Sequence, residues 1–228
     1  DNFGSAVQAA DVRRALGILF IQQRQPQRAA SYFQQMLRED PDDIYTRFNL
    51  AQAFSLMGDY RAAHQTLVET LARLEQERAD LGASYAKLRF EVMIALTTNA
   101  NRRGDLDEAQ RWAAEAKAFD PRDPYPYADL AELYIEKGMY EQAIEECQAY
   151  LRISQSAPWR TDNSPIYYLL GQAHAAAGNY DEAISAYEMA LRLRANVAIY
   201  HYALARVLAA SGQAERAAQE LAKGKALG

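Results

Sequence analysis

The sequence predicts an all-α solenoid of about six helix-turn-helix units, and three observations carry that expectation. A short phrase recurs along the 228 residues, with a glycine at Gly58, Gly104, Gly138, Gly178 and Gly212 and an alanine five residues later at Ala63, Ala109, Ala143, Ala183 and Ala217. An earlier copy sets Arg24 before Ala29. Successive copies lie 34, 46, 34, 40 and 34 residues apart, so one structural unit is repeated with two local insertions. Composition agrees: half of the residues are apolar, alanine and leucine are abundant, and the seven prolines fall mostly between the expected helices.

The fifth copy shows why each unit is a helical hairpin. Tyr167, Leu170, Gly171 and His174 recur at three- and four-residue steps, which sets them on one helix face. Gly178-Asn179-Tyr180 breaks that helix, because glycine adopts the left-handed backbone of a helix end at little steric cost. Asp181 is then expected to cap a second helix with the buried stripe Ala183, Ile184, Tyr187, Ala190 and Leu191. The alanine repeated in all six copies fits a close crossing of two helices. Asp40-Pro41 and Asp120-Pro121 end the first and third copies before the next unit.

These residues resemble the tetratricopeptide repeat, a 34-residue helix-turn-helix unit with a Leu-Gly, Tyr, Gly, Tyr, Ala, Phe, Pro signature. The resemblance covers nearly the whole chain as a single domain, with repeats at about 10–43, 44–77, 90–123, 124–157, 164–197 and 198–228 and insertions at 78–89 and 158–163. It implies a right-handed superhelix. The signature tryptophan is replaced by Arg13, Arg47, Met93, Tyr127, Tyr167 and His201, and the terminal proline is lost after the third copy.

The two insertions differ in character. ETLARLEQERADLGASYAKLRFEVMIAL is helix-forming except at Gly82, so the first insertion is expected to lengthen both adjoining helices by about two turns each. That pair would protrude from the stack, as a docking platform or as tolerated length variation. SQSAPWRTDNSP reads as a loop. Its Trp159 is an accessory contact for a partner or packs back over a repeat junction.

Several function classes lose support. Charges of both signs are interspersed at a net −5, which gives no basis for neutralising nucleic-acid phosphates. No run is long enough to span a bilayer and no signal segment opens the chain. His64, His174 and His201 fall in separate repeats without Cys or His at metal-ligand spacing, and His174 and His201 occupy packing positions. The single Cys147 and the serines lack a base-bearing motif, and no glycine-rich phosphate loop occurs. The expectation is no enzyme activity, no cofactor and no metal. The compartment stays open between cytoplasm and a bacterial envelope, since only Arg, Ala and Gln usage hints at a bacterial source.

The resemblance implies that the first helix of each pair lines a groove that takes an extended or helical peptide. Transferred to this sequence, the groove positions are Arg14, Ile18, Tyr45, Phe48, Asn49, Gln52, Ile94, Thr98, Tyr125, Ala128, Asp129, Glu132, Tyr168, Gln172, Tyr202 and Arg206. Tyrosine brings large contact area with few torsions to freeze, and amides pair with peptide backbone. Some of these tyrosines are expected to pack between repeats instead. Glu91, Asp129, Glu132 and Glu136 gather near the middle, which favours a partner with a basic centre. The family's clamp for a C-terminal carboxylate is disfavoured: Arg14 and Asn49 fit it, but Ile18 replaces an asparagine and Glu91 and Ala95 replace two cations.

Function on this reading is a non-catalytic scaffold or adaptor that holds a peptide or subunit while a larger complex assembles. The alternatives are a repeat region that presents partners to a catalytic domain outside this segment, and a self-assembling scaffold. The last helix, AERAAQELAKGKALG, has an outward side of modest polarity, so the chain is expected to continue or to be covered by a partner or a second copy. The opening stretch DNFGSAVQAA likewise reads as the tail of something earlier. Bacterial relatives in envelope assembly, secretion or pilus biogenesis make such roles compatible with the resemblance.

Overall fold

A computed structural model describes the backbone of residues 2–77, 82–156 and 162–228, and within these the side chains from residue 11 onward except at 83 and 156. Among the described residues there are twelve helices and no strand. The chain divides into two compact units, Asp1–Ala116 and Lys117–Gly228. The first contains α1 (Asn2–Gln22), α2 (Pro26–Glu39), α3 (Ile44–Leu56), α4 (Tyr60–Gln76) and α5 (Ala83–Arg103), with α6 (Leu106–Phe119) reaching the boundary. The second contains α7 (Tyr125–Glu136), α8 (Tyr140–Ser156), α9 (Ser164–Ala176), α10 (Tyr180–Leu193), α11 (Ala198–Ala210) and α12 (Ala214–Leu227).

Within the first unit α1 through α4 each pack on the helix that follows, and α3 also touches α1 and α5. The second unit repeats the plan, with α7 through α12 packed in succession and α9 touching both α7 and α11. First helices of successive pairs therefore share one face, called the inner face below.

The hairpins close through matched side-chain sizes. Gly17 of α1 faces Phe33 of α2, and a Cβ at Gly17 would lie 2.2 Å from that ring. Gly171 of α9 faces Tyr187 of α10, where the same atom would lie 2.6 Å away. With smaller partners the first helix carries alanine: Ala51 shares a core cluster with Leu67, and Ala131 shares one with Cys147. The order reverses at α11 and α12, where the Tyr202 ring covers Gly224. Close packing makes each such pair a volume constraint.

The recurrent glycines adopt the left-handed conformation, and Arg24 does so as well at φ 57°. Its side chain resides where five other turns place glycine, a conformation that disfavours a Cβ. Asp59 and Asp105 cap the following helices by accepting from the N–H groups of Ala62 and Glu108 at 3.1 Å. The expected cap at Asp181 is displaced: Asn179 holds the N-cap position without a side-chain bond, and Asp181 lies in the first turn. The connection is a single residue after the glycine, so Asp181 comes two residues too late to cap.

The first insertion lengthens its helices unequally. α5 has 21 residues where α3 has 13, whereas α4 reaches 17. The added turns pack on each other through Leu74, Tyr85 and Leu88, and Glu75 accepts from the Tyr85 hydroxyl at 2.7 Å and Arg89 Nε at 2.8 Å. Part of the second insertion, including Trp159, lies outside the described residues. No described helix is long and apolar enough to cross a membrane.

Candidate functional site

On the inner face of the first unit, Arg14 of α1 is engaged internally. Its guanidinium bonds Asp11 Oδ1 at 3.0 Å and Asp43 Oδ2 at 3.1 Å, and lies 5.3 Å from the centroid of the Tyr45 ring. Asp43 also accepts from the backbone and hydroxyl of Thr46, at 3.0 and 2.6 Å, which caps α3. Burial alone would raise the Asp43 carboxyl, but the Thr46 bonds and the Arg14 charge outweigh it and hold the group below its ordinary value. Phe48, expected in the groove, is only 7% exposed and packs among Ile44, Ala51 and Leu67. It joins the core cluster, although Tyr168 and Tyr202 hold the same repeat position in the second unit. Tyr45 and Ile18 are partly buried against core clusters, and Ile94 and Asn49 are half-buried. Gln52 and Thr98 are exposed, and Glu91 lies 3.8 Å from Lys87 Nζ.

The second unit presents a different surface. Tyr125, at the start of α7, is 58% exposed, Ile199 at the corresponding place on α11 is 53% exposed, and Tyr202 is 39% exposed. Pro165 holds the same place on α9 and is exposed. The backbone N–H of Tyr125 donates to Asp123 Oδ1 at 2.9 Å, which fixes the start of α7. Burial raises the Asp123 carboxyl, with Asp120 adding and the Tyr125 bond offsetting.

Tyr168 is half-buried, its ring 5.8 Å from Tyr187 and 5.1 Å from Tyr200 between centroids. Gln172 Nε2 donates to its hydroxyl at 3.1 Å. Burial raises the Tyr168 phenol, which Arg206 draws down and Tyr200 pushes further up. Burial likewise pushes Tyr187 up to about 12. One turn further along the same helices, Glu132, Gln172 and Arg206 form a polar row, with half-buried Ala128 and Asp129 and exposed Glu136 beside it on α7.

Pro165 and Ile199 were not singled out from sequence, although each stands where Tyr125 stands in its own repeat. The histidines divide as their surroundings dictate. His201 is buried, with Nδ1 2.6 Å from Glu220 Oε2 and Nε2 3.0 Å from the Ala195 carbonyl. A cavity of 360 Å3 beside it has charged walls already paired, Arg216 with Glu188 and Lys223 with Glu220, each at 2.7 Å. Burial lowers His174, with Glu182 opposing, so its imidazole is neutral near neutrality. Burial pushes the Cys147 thiol up to about 12, which removes its nucleophilic thiolate. No cluster of three potential metal ligands occurs among the described residues.

Tetratricopeptide repeat models match residues 20–88, 91–115, 126–196 and 168–227. The chain belongs to the tetratricopeptide repeat family. Among solved structures it is similar to a chain of the APC/C hetero-tetramer Cut9-Hcn1, with TM-score 0.77 and 22% identity over 96% of this chain and 40% of that one. It is also similar to BtubC from P. vanneervenii, with TM-score 0.71 and 18% identity over 96% of this chain and 91% of the other. Yeast Tom70 matches with TM-score 0.68 and 16% identity, over 88% and 39%. At these identities the likeness is one of fold, and the chain spans well under half the length of the Cut9-Hcn1 and Tom70 chains. No curated protein matches the sequence.

Proposed function

We propose that the chain is a non-catalytic interaction scaffold that holds a peptide, or a segment of a partner subunit, on the inner face of its second unit during assembly of a larger complex. The observation that carries this reading is the exposure of Tyr125 on α7 and of Ile199 and Tyr202 on α11, the two first helices that flank α9. Scattered exposed apolar residues are ordinary, whereas aromatic residues collected on one face favour a partner. Asp129, Glu132 and Glu136 beside them favour a basic group in the partner. Family membership and the likeness to a subunit of the Cut9-Hcn1 assembly support a scaffold role of this class.

A photo-reactive amino acid in place of Tyr125 or Tyr202 should crosslink a partner in the native source, and the same residue in place of Arg152 or Ser185 should not. Equal crosslinking from all four positions would remove the inner face as the binding surface.

A second reading, self-association through the last repeat, is favoured by Leu221. This side chain is exposed, while Phe33, Leu67, Cys147 and Tyr187 at the equivalent places are buried. Sedimentation of the chain and of Leu221→Glu over a range of concentrations tests it, since only the parent should gain mass with concentration.

A further inference from the structure

Three first helices of the second unit carry two parallel rows of side chains. The first row is Tyr125, Pro165 and Ile199, all exposed and all at the same place in their repeats. The second is Glu132, Gln172 and Arg206, seven residues further along, which is about 10.5 Å at the rise of an α-helix. Tyr168 and Tyr202 stand between the rows. Because α9 touches both α7 and α11, the ordinary distance between packed helix axes, about 8–10 Å, is the spacing expected between successive rungs.

That rung spacing discriminates among ligand backbones. A β-strand returns a side chain to the same face every second residue, about 6.8 Å, and falls short of the next rung. A polyproline-II helix returns one every third residue, about 9.3 Å, and meets each rung in turn. An α-helix needs two turns, about 10.5 Å, and its carbonyls are bonded internally. The polyproline-II backbone leaves its carbonyls open to donors. Donors are present here: the Tyr168 hydroxyl accepts from Gln172 and retains its own proton to give, and the exposed Arg206 guanidinium lies at the far end of the polar row. The exposed Tyr125 ring is also suited to a proline ring.

Resting on the inner-face reading above, we infer that the second unit is a polyproline-II site. It takes an extended segment with an apolar residue, proline by preference, at every third position, its cationic end over α7 and its anionic end over α11. The charge order follows from Asp129, Glu132 and Glu136 on α7 and Arg206 on α11.

The test uses fluorescein-labelled synthetic peptides of one length and composition, each with three apolar residues set two, three or seven positions apart. Each carries lysine at one end and glutamate at the other, in both chain directions. Fluorescence anisotropy with the intact chain should show the every-third family binding about tenfold more tightly than the others, or better. Tyr125→Ala and Ile199→Ser, both at exposed positions and checked for folding by circular dichroism, should each weaken that binding about fivefold or more. Equal or tighter binding by another family, insensitivity to both substitutions, or no binding by any family overturns the inference. If no family binds while the photo-reactive residue at Tyr125 still crosslinks a partner, the inner-face reading stands without the polyproline-II ligand. If that crosslink is also absent, both fall.

Discussion

The two units share a helical plan and use their inner faces differently. In the first, the groove cation Arg14 is bound to Asp11 and Asp43, and Phe48 is in the core. In the second, the place of Arg14 is taken by Tyr168 on α9 and Tyr202 on α11, and the helix-leading row is exposed and apolar. The residue before each helix accounts for part of the difference. Asp43 precedes α3 and supplies the carboxylate that captures Arg14, whereas Val197 precedes α11 and has no acceptor in its side chain. The same repeat position thus serves internal cohesion in the first unit, and in the second it carries tyrosines on the face proposed above to meet a partner.

The comparison can be broken first at its best-packed point. Tyr187 is fully buried against Gly171 and Tyr168, so Tyr187→Ala should lose about 3–5 kcal/mol in chemical denaturation and dissolve the support of the second inner face. Gly171→Ala should cost about 1–3 kcal/mol by overpacking, and adding Tyr187→Leu should restore much of it by recreating the Ala51–Leu67 pairing of the first unit. An unrescued double substitution would mean that matched volume is not what joins these helices.

Asp43→Asn sharpens the first-unit side of the comparison. It keeps a capping oxygen but removes the charge that pairs with Arg14, and should cost about 1 kcal/mol at neutral pH. The folded-state value of Asp43 is depressed, so its contribution is present above the unfolded carboxyl value of about 3.9 and is lost as pH falls through the folded value. Denaturation midpoints from pH 7 down to about 3 should therefore converge for parent and variant. The smallest effect belongs to Arg24→Gly, which should add roughly 0.5–1 kcal/mol by relieving a left-handed non-glycine residue.

The repeating glycines and alanines made the hairpins legible, because their spacing reports a backbone requirement that every unit shares. Asp181 was misplaced because capping depends on a one-residue turn, which spacing alone does not resolve. Phe48 illustrates a second limit: a groove position assigned by register becomes a core position when its neighbours, here Ala51 and Leu67, leave room for the ring. The fate of Arg14 depended on Asp43, 29 residues away, a contact that only the packed structure defines. Pro165 and Ile199 stand in the sequence at the Tyr125 position, but their exposure is something periodicity does not report.

The most direct measurement is capture of the native partner by three folded forms of the chain: the parent, a first-unit variant with Gln52→Ala and Thr98→Ala, and a second-unit variant with Tyr125→Ala and Arg206→Glu. The account predicts that the first-unit variant retains the partner and the second-unit variant loses it about tenfold or more. Loss confined to the first-unit variant would contradict it, as would equal retention by all three.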